Sequence, residues 1–496
     1  MRRTIGPTGA PMFTYNESGI GFHLIKSPNG APRGPMTMPF NRLRNIALIL
    51  LLLPMCGLRQ AAAYSLLTHE QLIDLTWNDS IVPFLKSRYP NLTPAELDRA
   101  RSFAYGGCVI QDMGYYPFGD GFFSDLTHYV RSGDFVVALF RNAHNANELA
   151  FAVGAESHYI GDSIGHSQAT NRAVALQFPG LAARYGPSVN YAEGRHQHVQ
   201  VEFAFDIDQI AKHRLAPLDY LRHIGIRVPT HQLALAFFET YGVTDDFANG
   251  ERHKFNLKEY QSATRKFIPR VAYAVTLMRR GHEVAEPDTA DAKEIEKESA
   301  EAATLYNWAA YRKKAGFETH FIAALLCVLP KVGPLSMVAV KGPSPAAEAD
   351  YMHSLLSAIT VFRDRLAFFT PTEAGQPRPA SVAALTDPLG PRDPQHPLPN
   401  RDLDTGLAGG YFLTDQTYAE LLHRLTRDPS QPIPPGIKSD VQSYYSDPNA
   451  PITTKQKPRV WAQVQADLKT LAAMSTSTEP APYPTYGELN PSPTTN

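Results

Sequence analysis

The chain is poor in cysteine, in net charge and in long apolar runs, and each shortage removes a class of function. Its 496 residues include three cysteines, Cys56, Cys108 and Cys327. No two form a Cys-x-x-Cys pair, which sets aside a cysteine-ligated zinc site and a thioredoxin-like redox motif. If Cys56 leaves with a leader, one disulfide stays open, and two small buried apolar residues is the favoured reading. Formal net charge is -1 and only 19% of residues are charged, so no strong overall field draws nucleic acid or an anionic membrane. A bilayer span takes about 20 apolar residues, and neither the run at 46–54 nor Phe321–Leu329 reaches that. A phosphate-cradling Gly-Lys-Ser or Gly-Lys-Thr loop is also missing.

Apolar residues and histidine, by contrast, are plentiful. Hydrophobic residues make up 43% of the chain, enough to bury a sizeable core. The length allows roughly two to four units of ordinary domain size, or one large domain with appendages. Seventeen histidines stand out, because neutral imidazole is the commonest metal-ligating side chain.

Arg42 and Arg44 precede the apolar run, and Ala61-Ala62-Ala63 follows it. A basic n-region, an apolar h-region and a small-residue cleavage site read as a signal peptide over 42–63. Export to a periplasm or out of the cell is therefore expected, with Tyr64 as the mature N-terminus. A buried core helix and a lipid-anchored Cys56 are the alternatives. Residues 1–41, rich in Gly and Pro, are set aside as an upstream extension, with Met36 or Met38 as the expected true start.

Residues 64–369 read as one all-α unit, a multi-helix bundle. Thr68 is the expected N-cap of a first helix. Thr93-Pro94-Ala95-Glu96 is a capping threonine, a first-turn proline and a glutamate three residues on. A helical run around Phe267–Arg280 fades into an acidic stretch, and 286–303 reads as a solvated helix with charge pairs. Asp350–Phe369 is amphipathic. Residues 370–496 form a Pro-rich C-terminal extension that breaks helices at Gln376–Pro379, Pro391–Pro394 and Pro432–Pro435. Short helices are expected at Tyr418–Arg427 and Val460–Met474, and a disordered end over the last twenty or so residues.

The chemistry concentrates at His158-Tyr-Ile-Gly-Asp162-Ser-Ile-Gly-His166. Four residues advance a helix by about 400°, so His158, Asp162 and His166 share one slowly drifting stripe. Two imidazoles flanking a carboxylate suit more than one cation, the carboxylate bridging. His198 and Glu202 repeat the four-residue spacing with the nitrogen and oxygen donors zinc prefers. His69, Asp112 and His128 are further candidates upstream. His196 points elsewhere on its helix, and His144, His213 and His353 have no partner at metal spacing. Gly161-Asp162-Ser163-Ile164-Gly165 fits the Gly-x-Ser-x-Gly elbow of serine hydrolases, which needs a strand and a sharp turn. Here the five residues lie inside a helical stripe, and small residues for close helix packing are the preferred explanation.

Taken in order, Tyr64, His69, Asp112, His128, His158, Asp162, His166, His198 and Glu202 resemble the pattern of the zinc-dependent phospholipases C and their relatives, the single-strand-specific zinc nucleases. The resemblance covers roughly residues 64–210 and implies an all-α phospholipase C/nuclease-like bundle holding two or three zinc ions. It assigns Asp112, His128, His158 and Asp162 to one ion, and His166, His198 and Glu202 to a second. His69, bridging Asp162 and the free amino and carbonyl groups of Tyr64 would take the third. It further implies hydrolysis of a phospholipid or other phosphodiester by a metal-activated water, with Asp112 assisting as base and transient contact with a membrane surface. Relatives carry tryptophan at the N-terminus, where this chain has Tyr64. Glu202 favours the phospholipase branch, since the nucleases usually carry Asp there, whereas the short Tyr64-to-His69 interval is nuclease-like. Tyr115, Tyr116, Phe122 and Phe123 are nearby aromatics available to a substrate. A nuclease or nucleotidase acting on nucleic acid with the same metals, and a secreted zinc-binding protein without activity, are the alternatives.

Overall fold

A computed structural model describes residues 65–116, 118–243, 251–278, 285, 287–312, 317–328, 341–370, 398–407, 411–448 and 453–477. The expected signal peptide, Tyr64, the 1–41 extension and residues 478–496 lie outside them. All described residues fall in one compact unit, 56–496. Their regular elements are helices, with a single isolated bridge between Ile433 and Thr476. None of their helices is long and apolar enough to cross a membrane.

Helix α1, Leu66–Thr76, is buried along its whole length. Ser65, not Thr68, occupies its N-cap position. Thr68 sits in the first turn instead and donates its hydroxyl to Asp206 Oδ1 at 2.7 Å. The same carboxylate accepts the Leu67 and Thr68 amides at 3.0 and 3.1 Å. A side chain far along the sequence therefore does the capping that the local sequence did not supply. It satisfies donors every helix leaves open at its start.

Helix α2, Pro94–Gly107, begins with the full capping box expected at Thr93 and Glu96. It packs along α4, Ala146–Gly165, whose start is capped by Asn145. The two backbones approach so closely that a Cβ on Gly107 would collide with the Phe151 carbonyl. One on Gly154 would collide with that of Ala104. Between them, α3 spans Gly121–Tyr129. Helix α5, Tyr191–Ala211, opens with a capping box from Asn190 and Glu193 and kinks at Gly194, after which its long face is regular. Helix α6, Pro345–Phe369, lies against α1 and α4. Its Tyr351 stacks on Phe205 of α5 with ring centroids 4.4 Å apart.

The run expected at Phe267–Arg280 is helical over Ile268–Met278. The acidic stretch forms Ala290–Leu305, which is not solvated all round: Ala292, Ile295, Ser299 and Ala302 are buried, while Lys297 pairs with Glu294 on the exposed side. In the C-terminal extension, α7 (Phe412–Leu425) and α9 (Pro458–Ala473) overlap the two expected helices. The break expected at Pro432–Pro435 separates α7 from a further helix, α8, Pro435–Ser446. Pro435 sits at its first position, where no amide hydrogen is needed. Residues 398–407 run as an irregular strap over the ends of α3 and α4.

Candidate metal centre

Eight of the nine expected ligands converge. His69 comes from α1, Asp112 from the 3-10 turn Ile110–Tyr115, and His128 from the end of α3. His158 and Asp162 sit one turn apart on α4, and His198 and Glu202 one turn apart on α5. His166 is the first residue of a π-helical turn, His166–Thr170, which continues α4. Such widened turns recur at functional sites because they re-aim a side chain. All eight are at most 3% exposed. Tyr64, the ninth, lies outside the described residues.

The separations decide what the cluster suits. Four ligands bonded to one zinc at about 2.0–2.2 Å sit about 3.3–3.6 Å from one another in a tetrahedron. His128 Nε2 lies 3.4 Å from Asp112 Oδ1, 3.4 Å from Asp162 Oδ2 and 3.4 Å from His158 Nε2. His158 Nε2 is 3.1 Å from Asp162 Oδ2. The other oxygen of Asp162 faces His69 Nε2 at 3.2 Å. One carboxylate thus has an oxygen in each of two donor groups, the geometry of a bridge. His166, His198 and Glu202 form a third group.

Outer contacts fix which ring nitrogens face inward. The Nδ1 of His128 is 2.7 Å from the Ser124 carbonyl, and that of His158 is 3.0 Å from the Cys108 carbonyl. Each Nδ1 therefore donates to its carbonyl and turns Nε2 toward the cluster. His198 does the reverse: Nε2 donates to Asn171 Oδ1 at 2.8 Å. Its Nδ1 lies 2.7 Å from Glu202 Oε1, yet neither atom makes a well-directed hydrogen bond. Asp112 Oδ1 and His166 Nε2 are likewise buried without a hydrogen bond. Buried polar atoms are rarely left so. Several donors aimed at common points rather than at each other fit divalent cations.

Electrostatics agree most directly at His166 and His198. Burial and the neighbouring His198 hold His166 well below the usual imidazole value, and burial brings His198 down to about 3. Burial and the Asp162 charge push Glu202 well above the carboxylate range. Burial opposes ionisation of Asp162 too, but His158, His128 and His69 outweigh it and hold that carboxyl well below its ordinary value. His128 is pulled down by burial and raised further by Asp112 and Asp162, ending well above 6.5. His166 and His198 are thus neutral imidazoles beside carboxylates, the donor set a divalent ion takes, and an ion's charge would displace the proton that Asp112 and Asp162 hold on His128 and settle Glu202 as an anion.

A carboxylate absent from the expected set also reaches the cluster. Asp404, on the strap, is fully buried, with Oδ1 3.7 Å from His166 Nε2. Its Oδ2 accepts the hydroxyls of Tyr129 and Tyr411 at 3.0 and 2.5 Å. Burial raises its carboxyl to about 7, although the Tyr411 bond opposes this. Asn171 joins the two sides, holding His198 and donating to the Asp404 carbonyl across 233 positions of sequence. No periodicity links such distant residues, so only the folded chain reveals them.

Other expectations resolve simply. Ser163 lies within α4 with no strand before it, so the serine elbow is absent. Tyr116 packs on Tyr260, Phe123 on Phe237, and Phe122 beneath Arg424. All three are buried in the core, which corrects the expectation that they meet substrate. Tyr115 is buried as well, its ring 5.8 Å from that of His128. His213 pairs with Arg312 and His353 with Asp291, away from the cluster. His196 is exposed, and Cys108 is a free, buried thiol.

A family model described as zinc dependent phospholipase C matches residues 68–248. No curated protein and no solved structure matches the chain.

Proposed function

From the premise that residues 68–248 belong to the zinc-dependent phospholipase C family, we propose that the chain is an exported hydrolase that cleaves a phospholipid phosphodiester with a metal-activated water. The observation that carries the reading is the set of 3.1–3.4 Å separations among His69, Asp112, His128, His158 and Asp162, with the two oxygens of Asp162 in two donor groups. Asp112, His128, His158 and Asp162 would hold one zinc, His69 and Asp162 a second, and His166, His198 and Glu202 another. When bound, such ions lower the pKa of a water and neutralise charge on the phosphoryl oxygens.

The remaining roles fall to the chain. Asp112 lies at the edge of the cluster on a short turn and accepts the proton of the attacking water through its carboxylate. The Ser124 and Cys108 carbonyls hold His128 and His158 by Nδ1 and so keep each Nε2 turned into the cluster. Asp206 pins the start of α1 and so fixes His69. Cleavage after Ala63 would free the amino group of Tyr64, whose ordinary pKa of about 7.7–8.0 leaves a neutral fraction for a cation to capture.

The test is hydrolysis by purified mature protein of phosphatidylcholine vesicles, a chromogenic phosphodiester and single-stranded DNA, each with chelator and after zinc is restored. Release of diacylglycerol that stops with chelator and returns with zinc is expected. Cleavage of DNA alone would move the assignment to a nuclease. No cleavage of any of the three by zinc-loaded protein would leave a binding protein.

A further inference from the structure

Outside the family match, the strap 398–407 carries a second set of contacts to the cluster. Its backbone is fixed on both sides of Asp404. The Leu403 amide donates to the carbonyl of His128 at 3.0 Å, and Asn171 donates to the Asp404 carbonyl at 2.8 Å. Asp402 closes a turn onto the Thr405 amide at 2.7 Å. Gly406 then takes a left-handed conformation, φ +70°, against α4: a Cβ there would lie 2.6 Å from the Ser163 carbonyl oxygen. The strap is thus held in register, and the place it delivers Asp404 is determined.

The two oxygens of Asp404 differ. Oδ2 accepts both tyrosine hydroxyls, which orient the carboxylate. Oδ1 has no hydrogen bond and faces His166 Nε2, which has none either. Their 3.7 Å separation is too long for a hydrogen bond and close to the spacing of two donors on one zinc. An orphaned buried oxygen is costly, and this one is set beside an equally unbonded imidazole nitrogen of the ion group.

We propose that Asp404 is a metal ligand, adding a carboxylate from the C-terminal extension to the His166–His198–Glu202 ion. This rests on the reading of those three residues as an ion site. In that role Asp404 fills a position a water would otherwise take, and Tyr129, Tyr411 and Asn171 become its supporting contacts. The catalytic unit then extends beyond residue 369 to include the strap.

The test compares zinc-loaded full-length protein with Asp404→Asn and His198→Ala by dialysis against graded chelator, counting zinc per chain. Cobalt-substituted protein gives an independent visible spectrum sensitive to ligand identity. Asp404→Asn is expected to weaken one ion by about 10–100-fold or more, leave the others at wild-type affinity, and shift the cobalt bands. If Asp404→Asn retains every ion at wild-type affinity while His198→Ala loses one, the Asp404 assignment is overturned and the centre stands. If neither variant loses an ion, both are overturned. Should Asp404→Asn not fold, Tyr411→Phe keeps the carboxylate but loosens it. It must then weaken the same ion severalfold, and unchanged affinity overturns the proposal.

Discussion

Residues 68–248 and the strap 398–407 reach the same buried cluster by different routes. The first stretch delivers eight donors on helices and their terminal turns, three pairs of them one helical turn apart. The second delivers one carboxylate on irregular backbone, fixed by a turn, a left-handed glycine and hydrogen bonds to helices far back in the chain. Helical spacing aims several groups at once and leaves outer contacts only to fix ring orientation, whereas the strap needs anchors to fix its backbone as well. Damage to the first region should therefore fall on the chemistry, and damage to the second on the seating of one ion.

The largest contrast lies at Asp162. Its oxygens stand in two donor groups, so Asp162→Ala should lower phosphodiester turnover by about 1,000-fold or more, about 4 kcal/mol of transition-state stabilisation. A variant that folds, by circular dichroism, and keeps near-wild-type turnover would break the distinction. Next comes Asn171, where the two regions meet. Asn171→Ala frees His198 Nε2 and the Asp404 carbonyl together, and should weaken zinc binding about 10–100-fold, read by chelator competition. Within the strap, Asn400 exchanges two hydrogen bonds with Asp134, both 3.0 Å. Asn400→Ala should cost about 1–3 kcal/mol in denaturant melts and change turnover less than either variant above.

The smallest effect sharpens the helical side. Burial pushes Asp206 up to about 6, against the partial relief of its bonds to Thr68, Ser65 and Leu67. A carboxyl raised in the folded state contributes stability that is full below its unfolded value of about 3.9 and is lost as pH rises through 6. Asp206→Asn removes that loss. The difference in melting temperature between the variant and wild type should move in the variant's favour from pH 4 to pH 7, and a constant difference would show that Asp206 does not titrate there.

The asymmetry also explains what could be read beforehand. His158, Asp162, His198 and Glu202 were legible because a four-residue step is itself the geometry of a shared helical face. Thr93 was legible as a cap because its partner Glu96 is local. The role of Thr68 is not legible locally because its partner, Asp206, is 138 residues away. Asp404, Asn171 and Tyr411 escaped for the same reason: their roles exist only once distant segments meet. The prolines at 432–435 do interrupt the helices, and what the sequence left open is that the last of them, Pro435, also starts α8.

The account stands on cations bound at the converging donors, and anomalous X-ray scattering at the zinc edge from crystals of the zinc-loaded protein tests that directly. It predicts a peak within about 2.0–2.2 Å of His128 Nε2, His158 Nε2 and the facing oxygens of Asp112 and Asp162, with at least one more at the His166–His198–Glu202 group. Those side chains found in the same places with no anomalous density among them would contradict it.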